Sequence, residues 1–104
     1  MFIARWTITA KFGHKDAALA LCKKWNKEIG DQAGFKRMRI VTGSIGACES
    51  KLEFENEFAS LADVEKAWTE MAKLPWHQQF GKEIEPHVVS GTNHWEVFRV
   101  IERG

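Results

Sequence analysis

The residues with the most chemical reach are charged ones at alternate positions. Arg5, Arg37, Arg39, Glu53, Glu55 and Glu57 fall in segments that read as strands, where every second side chain projects from the same face. If that face is enclosed, an arginine there binds a carboxylate or an enolate, and a glutamate of raised pKa acts as a base. If it is solvated, the same groups form Arg–Glu pairs across the strands, and both readings stand. The four histidines, His14, His77, His87 and His94, make no i, i+4 pair and no zinc-type spacing with Asp or Glu. No metal is expected, and loop or surface positions are their expected place, although His87 and His94 could converge across the loop before the last strand. Cys22 and Cys48 form neither a Cys-x-x-Cys pair nor a disulfide framework, which fits a reducing cytoplasm. There is no Ser, His and Asp triad, no phosphate-cradling loop and no dinucleotide fingerprint, and Gly43-x-x-Gly46 reads as a hairpin turn.

Four strands and two amphipathic helices must position these groups. Phe2, Ala4, Trp6, Ile8, Ala10 and Phe12 alternate with Arg5, Thr7, Thr9 and Lys11, the period of a half-buried strand. Ala18, Leu21, Cys22, Trp25 and Ile29 then keep helical steps from about Lys15 to Ile29, with Gly30 as the expected C-terminal cap. FKRMRIVT turns Met38 and Ile40 one way and Arg37, Arg39 and Val41 the other. A hairpin centred near Ser44 to Ala47 would set Arg39 near Glu53 and Arg37 near Glu55. In KLEFENEF, Leu52, Phe54, Asn56 and Phe58 form a mostly apolar side against Lys51, Glu53, Glu55 and Glu57. Ser60 is placed to cap a helix whose stripe is Leu61, Val64, Ala67, Trp68, Met71 and Ala72. Pro75 ends it and opens a short one, in which Trp76, Phe80 and Ile84 share a side. HWEVFRVI is the last strand, with Trp95, Val97 and Ile101 on one side and Phe98 and Val100 on the other. A strand apolar on both sides wants cover on both.

The order strand, helix, strand, strand, helix, strand is a split βαβ pattern. Right-handed crossovers put both helices on one face of a four-stranded antiparallel sheet, giving an α+β, ferredoxin-like fold. With 104 residues, one domain spanning 1–104 is expected. Net charge is +1, yet residues 1–48 hold nine Lys or Arg against three Asp or Glu, and residues 49–104 hold six against eleven. No basic run exceeds two residues, so the halves are read as pairing with each other and not with a nucleic acid or a membrane. The opening MFIARWTITAKF alternates too cleanly for a signal peptide or a membrane span. RNA-recognition modules share the pattern, but Glu53, Glu55 and Glu57 stand where their stacking aromatics would be and would repel phosphate.

On QAGFKRMRI, KLEFENEF, FASLADVEKAW and PWHQQF, the chain resembles the dimeric α+β barrel superfamily, which includes antibiotic-biosynthesis-type monooxygenases, haem-degrading monooxygenases and NIPSNAP-type proteins. The resemblance implies a homodimer in which two sheets face each other, and the apolar excess of the last strand agrees. Haem-degrading members use a strand-one Asn, a helix-borne Trp and a His that ligates iron. Trp68 and His77 match two of these, while strand one here offers Thr7 and Thr9 and no Asn.

The expected architecture is a cytoplasmic homodimeric α+β barrel, with a pocket between sheet and helices lined by Trp6, Ile8, Phe54, Trp68, Trp76, His77 and Phe80. His77, Arg5 and Arg39 are the candidate catalytic groups. By resemblance the activity is a cofactor-independent monooxygenase or isomerase on a small aromatic or enolisable compound. The alternative is a non-catalytic small-molecule-binding or dimeric interaction module, with a haem-degrading enzyme as a third reading.

Overall fold

Alternation in the sequence is realised as a sheet. The structure, a computed structural model, describes residues 1–102 and, at Lys36 and Arg37, the backbone only. Its elements are β1 (Phe2–Thr9), α1 (Lys15–Trp25), α2 (Asp31–Ala33), β2 (Lys36–Thr42), β3 (Lys51–Phe58), α3 (Leu61–Ala72), α4 (Pro75–Ile84) and β4 (His94–Arg99). The strands pair antiparallel in the order β2-β3-β1-β4, and the helices pack on one face, the ferredoxin-like α+β arrangement expected. Ala4, Ile8, Leu52, Phe54 and Phe58 supply the sheet's share of the core, and Ala18, Cys22, Trp25, Ala67, Met71, Phe80 and Ile84 the helices' share. Period two explains the division: Ala4 lies opposite Asn56, Trp6 opposite Phe54 and Ile8 opposite Leu52, all toward the helices.

Helix boundaries follow their local chemistry. Ser60 Oγ accepts the Asp63 amide at 3.1 Å, satisfying one orphan donor of α3. Pro75 is the first residue of α4, and Leu74 before it is extended, as a residue preceding proline must be. The expected cap at Gly30 is not one. The helix continues from α1 through a π-helical turn at Asn26–Gly30 into α2, and it ends at Gly34, whose φ of 96° suits glycine. Gly30 serves close packing instead, since a Cβ there would lie 3.1 Å from the Trp25 ring.

Four further expectations are corrected. β1 ends at Thr9, and Phe12 is fully exposed beyond it. Leu61 and Ala72 lie outside the buried stripe of α3, because α3 presents only Val64, Ala67, Trp68 and Met71 to the core. β4 stops at Arg99, leaving Ile101 exposed. Arg39 pairs with Glu55, and Val41 stands opposite Glu53. The β2–β3 loop is longer than a hairpin centred on Ser44 to Ala47, and a bulge between Lys36 and Arg39 shifts the register again. A two-residue slip keeps each side chain on its face and changes only its partner. The expected neighbour of Glu55, Arg37, has its side chain outside the described residues. No helix among the described residues is long and apolar enough to cross a membrane.

Candidate functional site

Between the helix face of the sheet and helices α1 and α4 lies a cavity of about 370 Å³, within the size range of small-ligand sites. Trp6, Ile8 and Phe54 form its floor, and Trp95 extends it onto β4. Trp6 and Phe54 face each other across β1 and β3 with ring centroids 5.5 Å apart, and Trp6 meets Phe80 of α4 at 6.3 Å. Cys22 and Trp25 of α1, with His77 and Ile84 of α4, complete the helical wall. The segment between α4 and β4 closes another side through Val88, Val89, Ser90, Gly91 and Asn93. That segment is tied to β1: the Val89 amide donates to the Thr9 carbonyl at 2.8 Å, and the Thr9 amide donates to Thr92 Oγ1 at 3.1 Å.

His77 is held in one orientation. The Trp25 indole N–H donates to His77 Nδ1 at 3.1 Å, so the neutral ring carries its proton on Nε2. Burial lowers the His77 pKa below the ordinary histidine value, because the charged ring loses more on leaving water than the neutral one. The group offered at pH 7 is therefore a neutral imidazole with an Nε2–H donor. Cys22 is also buried, and its thiol is pushed up to about 12, so it acts as wall and not as nucleophile. Asn56, on β3 two residues from Phe54, belongs to the cavity wall and is 1% exposed, with both atoms of its side-chain amide buried.

Of the residues singled out in the sequence, Trp6, Ile8, Phe54, His77 and Phe80 meet at this cavity, and Trp68 and Trp76 do not line it. Trp68 packs against Phe35 and Trp95, with ring centroids 5.2 and 4.5 Å away. Trp76 carries the Lys24 ammonium 4.5 Å above its ring. Arg5 and Arg39 lie on the opposite face of the sheet, both bound to Glu55. Arg5 Nε donates to Oε2 at 2.8 Å and Arg39 Nε to Oε1 at 2.9 Å, while each Nη2 adds a second contact. The Arg39 hydrogen bond, with help from Arg5, holds the Glu55 carboxyl below the usual carboxylate range. The Arg5 guanidinium also sits 4.9 Å over the Phe98 ring.

Histidines do not converge as the loop spacing allowed. His87 Nδ1 lies 3.0 Å from His14 Nδ1, and His94 is beside Glu96 at 3.4 Å. Among the described residues, no three His, Cys, Asp or Glu side chains form a group that could hold a metal ion. The side chains also do not fit haem. Trp68 is turned into the core between Phe35 and Trp95, and Thr7 and Thr9 belong to the parity of β1 that points away from the cavity, so the required set does not assemble around His77.

Trp25 and Asn56 were not picked out as site residues by their sequence. Trp25 is indistinguishable from a core position at helical spacing. Asn56 did carry a signal, as the polar member of the otherwise apolar face formed with Leu52, Phe54 and Phe58.

No protein-family model matches the chain, and no curated protein matches it by sequence. Solved structures do match. A NIPSNAP family protein from Agrobacterium tumefaciens superposes with a TM-score of 0.80 at 16% identity, covering 100% of this chain and 91% of that one. A NIPSNAP domain protein from Burkholderia xenovorans gives 0.76 at 15% identity, covering 100% and 98%. An antibiotic biosynthesis monooxygenase-like protein from Nitrosomonas europaea gives 0.72 at 7% identity, covering 98% and 100%. The chain therefore shares the fold of the NIPSNAP and antibiotic-biosynthesis-monooxygenase-like proteins, as its motifs suggested.

Proposed function

We propose that this protein binds a small aromatic or enolisable compound in the cavity between sheet and helices, and acts on it as a cofactor-independent monooxygenase or isomerase. The observation that carries the reading is His77, fixed by Trp25 and kept neutral by burial, in the wall of an aromatic cavity of ligand size. A neutral imidazole donating from Nε2 stabilises negative charge developing on a ligand oxygen as it enolises, without first giving up a proton. The surrounding rings exclude water and strengthen that contact.

Anthrone is a suitable probe. In its oxygenation one atom of O₂ becomes the new ring carbonyl, and the other leaves as water with the two methylene hydrogens. With no added metal or flavin, oxygen uptake is expected in wild type and is expected to fall by about 10²–10³-fold in His77→Phe, the scale of losing one oxyanion donor. Binding without uptake would favour the second reading, a non-catalytic binding module. One observation supports that reading too: among the described residues no Lys or Arg lines the cavity.

The assembly is proposed to be a homodimer in the cytoplasm. Val41 and Phe98 stand exposed on the outer sheet face around the Arg5–Glu55–Arg39 cluster, and a second copy laid against that face would cover them. Two free thiols, Cys48 exposed, suit a reducing compartment. Light scattering during gel filtration tests the dimer, and a clean monomer at micromolar concentration would remove it.

A further inference from the structure

Among the described residues Asn26 Oδ1 and Glu83 Oε2 are each buried without a partner, but Asn56 is set apart because both polar atoms of its side chain are. Asn56 is 1% exposed, and neither Nδ2 nor Oδ1 has a hydrogen-bond partner. A buried amide left unpaired keeps the whole cost of leaving water, and an apolar residue at that point would be more stable. Folding gives this chain no reason to keep a donor and an acceptor there. Binding does, because Asn56 belongs to the cavity wall. A second observation points to the same place: the bulge of β2, between Lys36 and Arg39, lies across from Asn56, and bulges beside a site re-aim its side chains. A third concerns charge. The ionisable side chains in the lining are Cys22, His77 and Glu85, with no described Lys or Arg, so no fixed cation there pairs with a ligand that arrives already charged.

We propose that Asn56 is the specificity-determining contact of the cavity, and that its ligand is a neutral flat molecule carrying a hydrogen-bond acceptor next to a donor. A lactam or the hydroxy-ketone edge of an enolised ring has this form. Asn56 Nδ2–H donates to the ligand carbonyl, and Oδ1 accepts from the adjacent N–H or O–H. The two bonds lie edge to edge, while Trp6 and Phe54 address the ring. Both amide atoms are sealed from water. The ligand reaches them when Met38 swings aside, since it is half-buried in the same wall and its unbranched thioether repacks easily. This inference rests on the reading of the cavity as a ligand site, and it adds which ligands enter.

Three probes of one two-ring outline test it: quinolin-2(1H)-one, naphthalene and 2-naphthoate, each titrated by calorimetry. In wild type the lactam is expected to bind about 10–100-fold more tightly than naphthalene, the combined effect of two net hydrogen bonds, and the carboxylate most weakly. In Asn56→Leu and in Asn56→Ala the difference between lactam and naphthalene is expected to close to a few-fold, with naphthalene still bound. Retained naphthalene binding shows that each variant keeps its fold and its cavity. If wild type binds lactam and naphthalene alike, or if the preference survives in either variant, the Asn56 assignment is overturned while the cavity reading stands. If naphthalene and lactam both fail to bind wild type, the cavity reading falls and takes this inference with it.

Discussion

Replacing Asn56 with leucine should stabilise the ligand-free protein, although the residue is buried and most buried substitutions do the reverse. Both polar atoms of Asn56 are enclosed and unpaired. An unsatisfied amide in that position costs about 1–3 kcal/mol, which an apolar side chain removes. Leucine is bulkier than asparagine, but its added volume has the adjoining cavity of about 370 Å³ to enter, so the usual penalty for overpacking is avoided. Even the low end, about 1 kcal/mol, raises Tm by roughly 4–8 °C for a domain of this size. Asn56→Ala sheds the same polar atoms and also loses packing, so its Tm should rise less. Thermal unfolding followed by far-UV circular dichroism on ligand-free protein measures both. A leucine variant that melts at or below wild type would mean that the amide has a partner in solution, and the case for Asn56 as a ligand contact would lose its foundation. Higher stability together with lost ligand discrimination is the pattern of a group kept for binding at the expense of the fold.

Three other outcomes follow from the same structure. His77 should titrate below the ordinary value of about 6.5 in a histidine NMR titration, with Nε2 as the protonated nitrogen of the neutral ring. Because its folded pKa is lowered, the unfolded chain takes up a proton first, and His77 removes stability as pH falls through the window just below about 6.5. A midpoint at or above the free value would contradict the burial argument. Glu55 has a folded pKa below its unfolded one, so its stabilising effect is full above about pH 4.3 and is lost as pH falls through the folded pKa. Glu55→Gln should flatten that acid limb in urea midpoints measured against pH, and an unchanged slope would show that Arg39 and Arg5 do not hold the carboxylate in solution. Ser60→Ala should cost about 0.5–2 kcal/mol of stability by releasing the Asp63 amide, with equal urea midpoints arguing against the cap.

Most of the architecture could be read from periodicity. The faces of β1, β2 and β3, the Ser60 start of α3 and the Pro75 start of α4 each depend on contacts within a few residues, and those survive in any arrangement of the chain. Less of the site could be read. Trp68 and Trp25 stand on equally apolar helical stripes, and only the rotation of each helix against the sheet decides that Trp25 reaches His77 while Trp68 meets Trp95. Asn56 was visible as a polar residue on an apolar strand face, but its lack of a partner is a property of everything packed around it.

Residue order alone sets which side chains share a face, because a strand repeats every two residues and a helix about every 3.6. Tertiary structure decided which faces meet and in what register. The long β2–β3 loop set Arg39 against Glu55 and not Glu53, the bulge before Arg39 shifted the pairing again toward Lys36, and the antiparallel order brought residues of β1, β3 and β4 beside α1 and α4 around one cavity. The physical reason is that periodicity is set by backbone geometry one residue at a time, whereas register and cavity shape come from close packing between segments far apart in the chain.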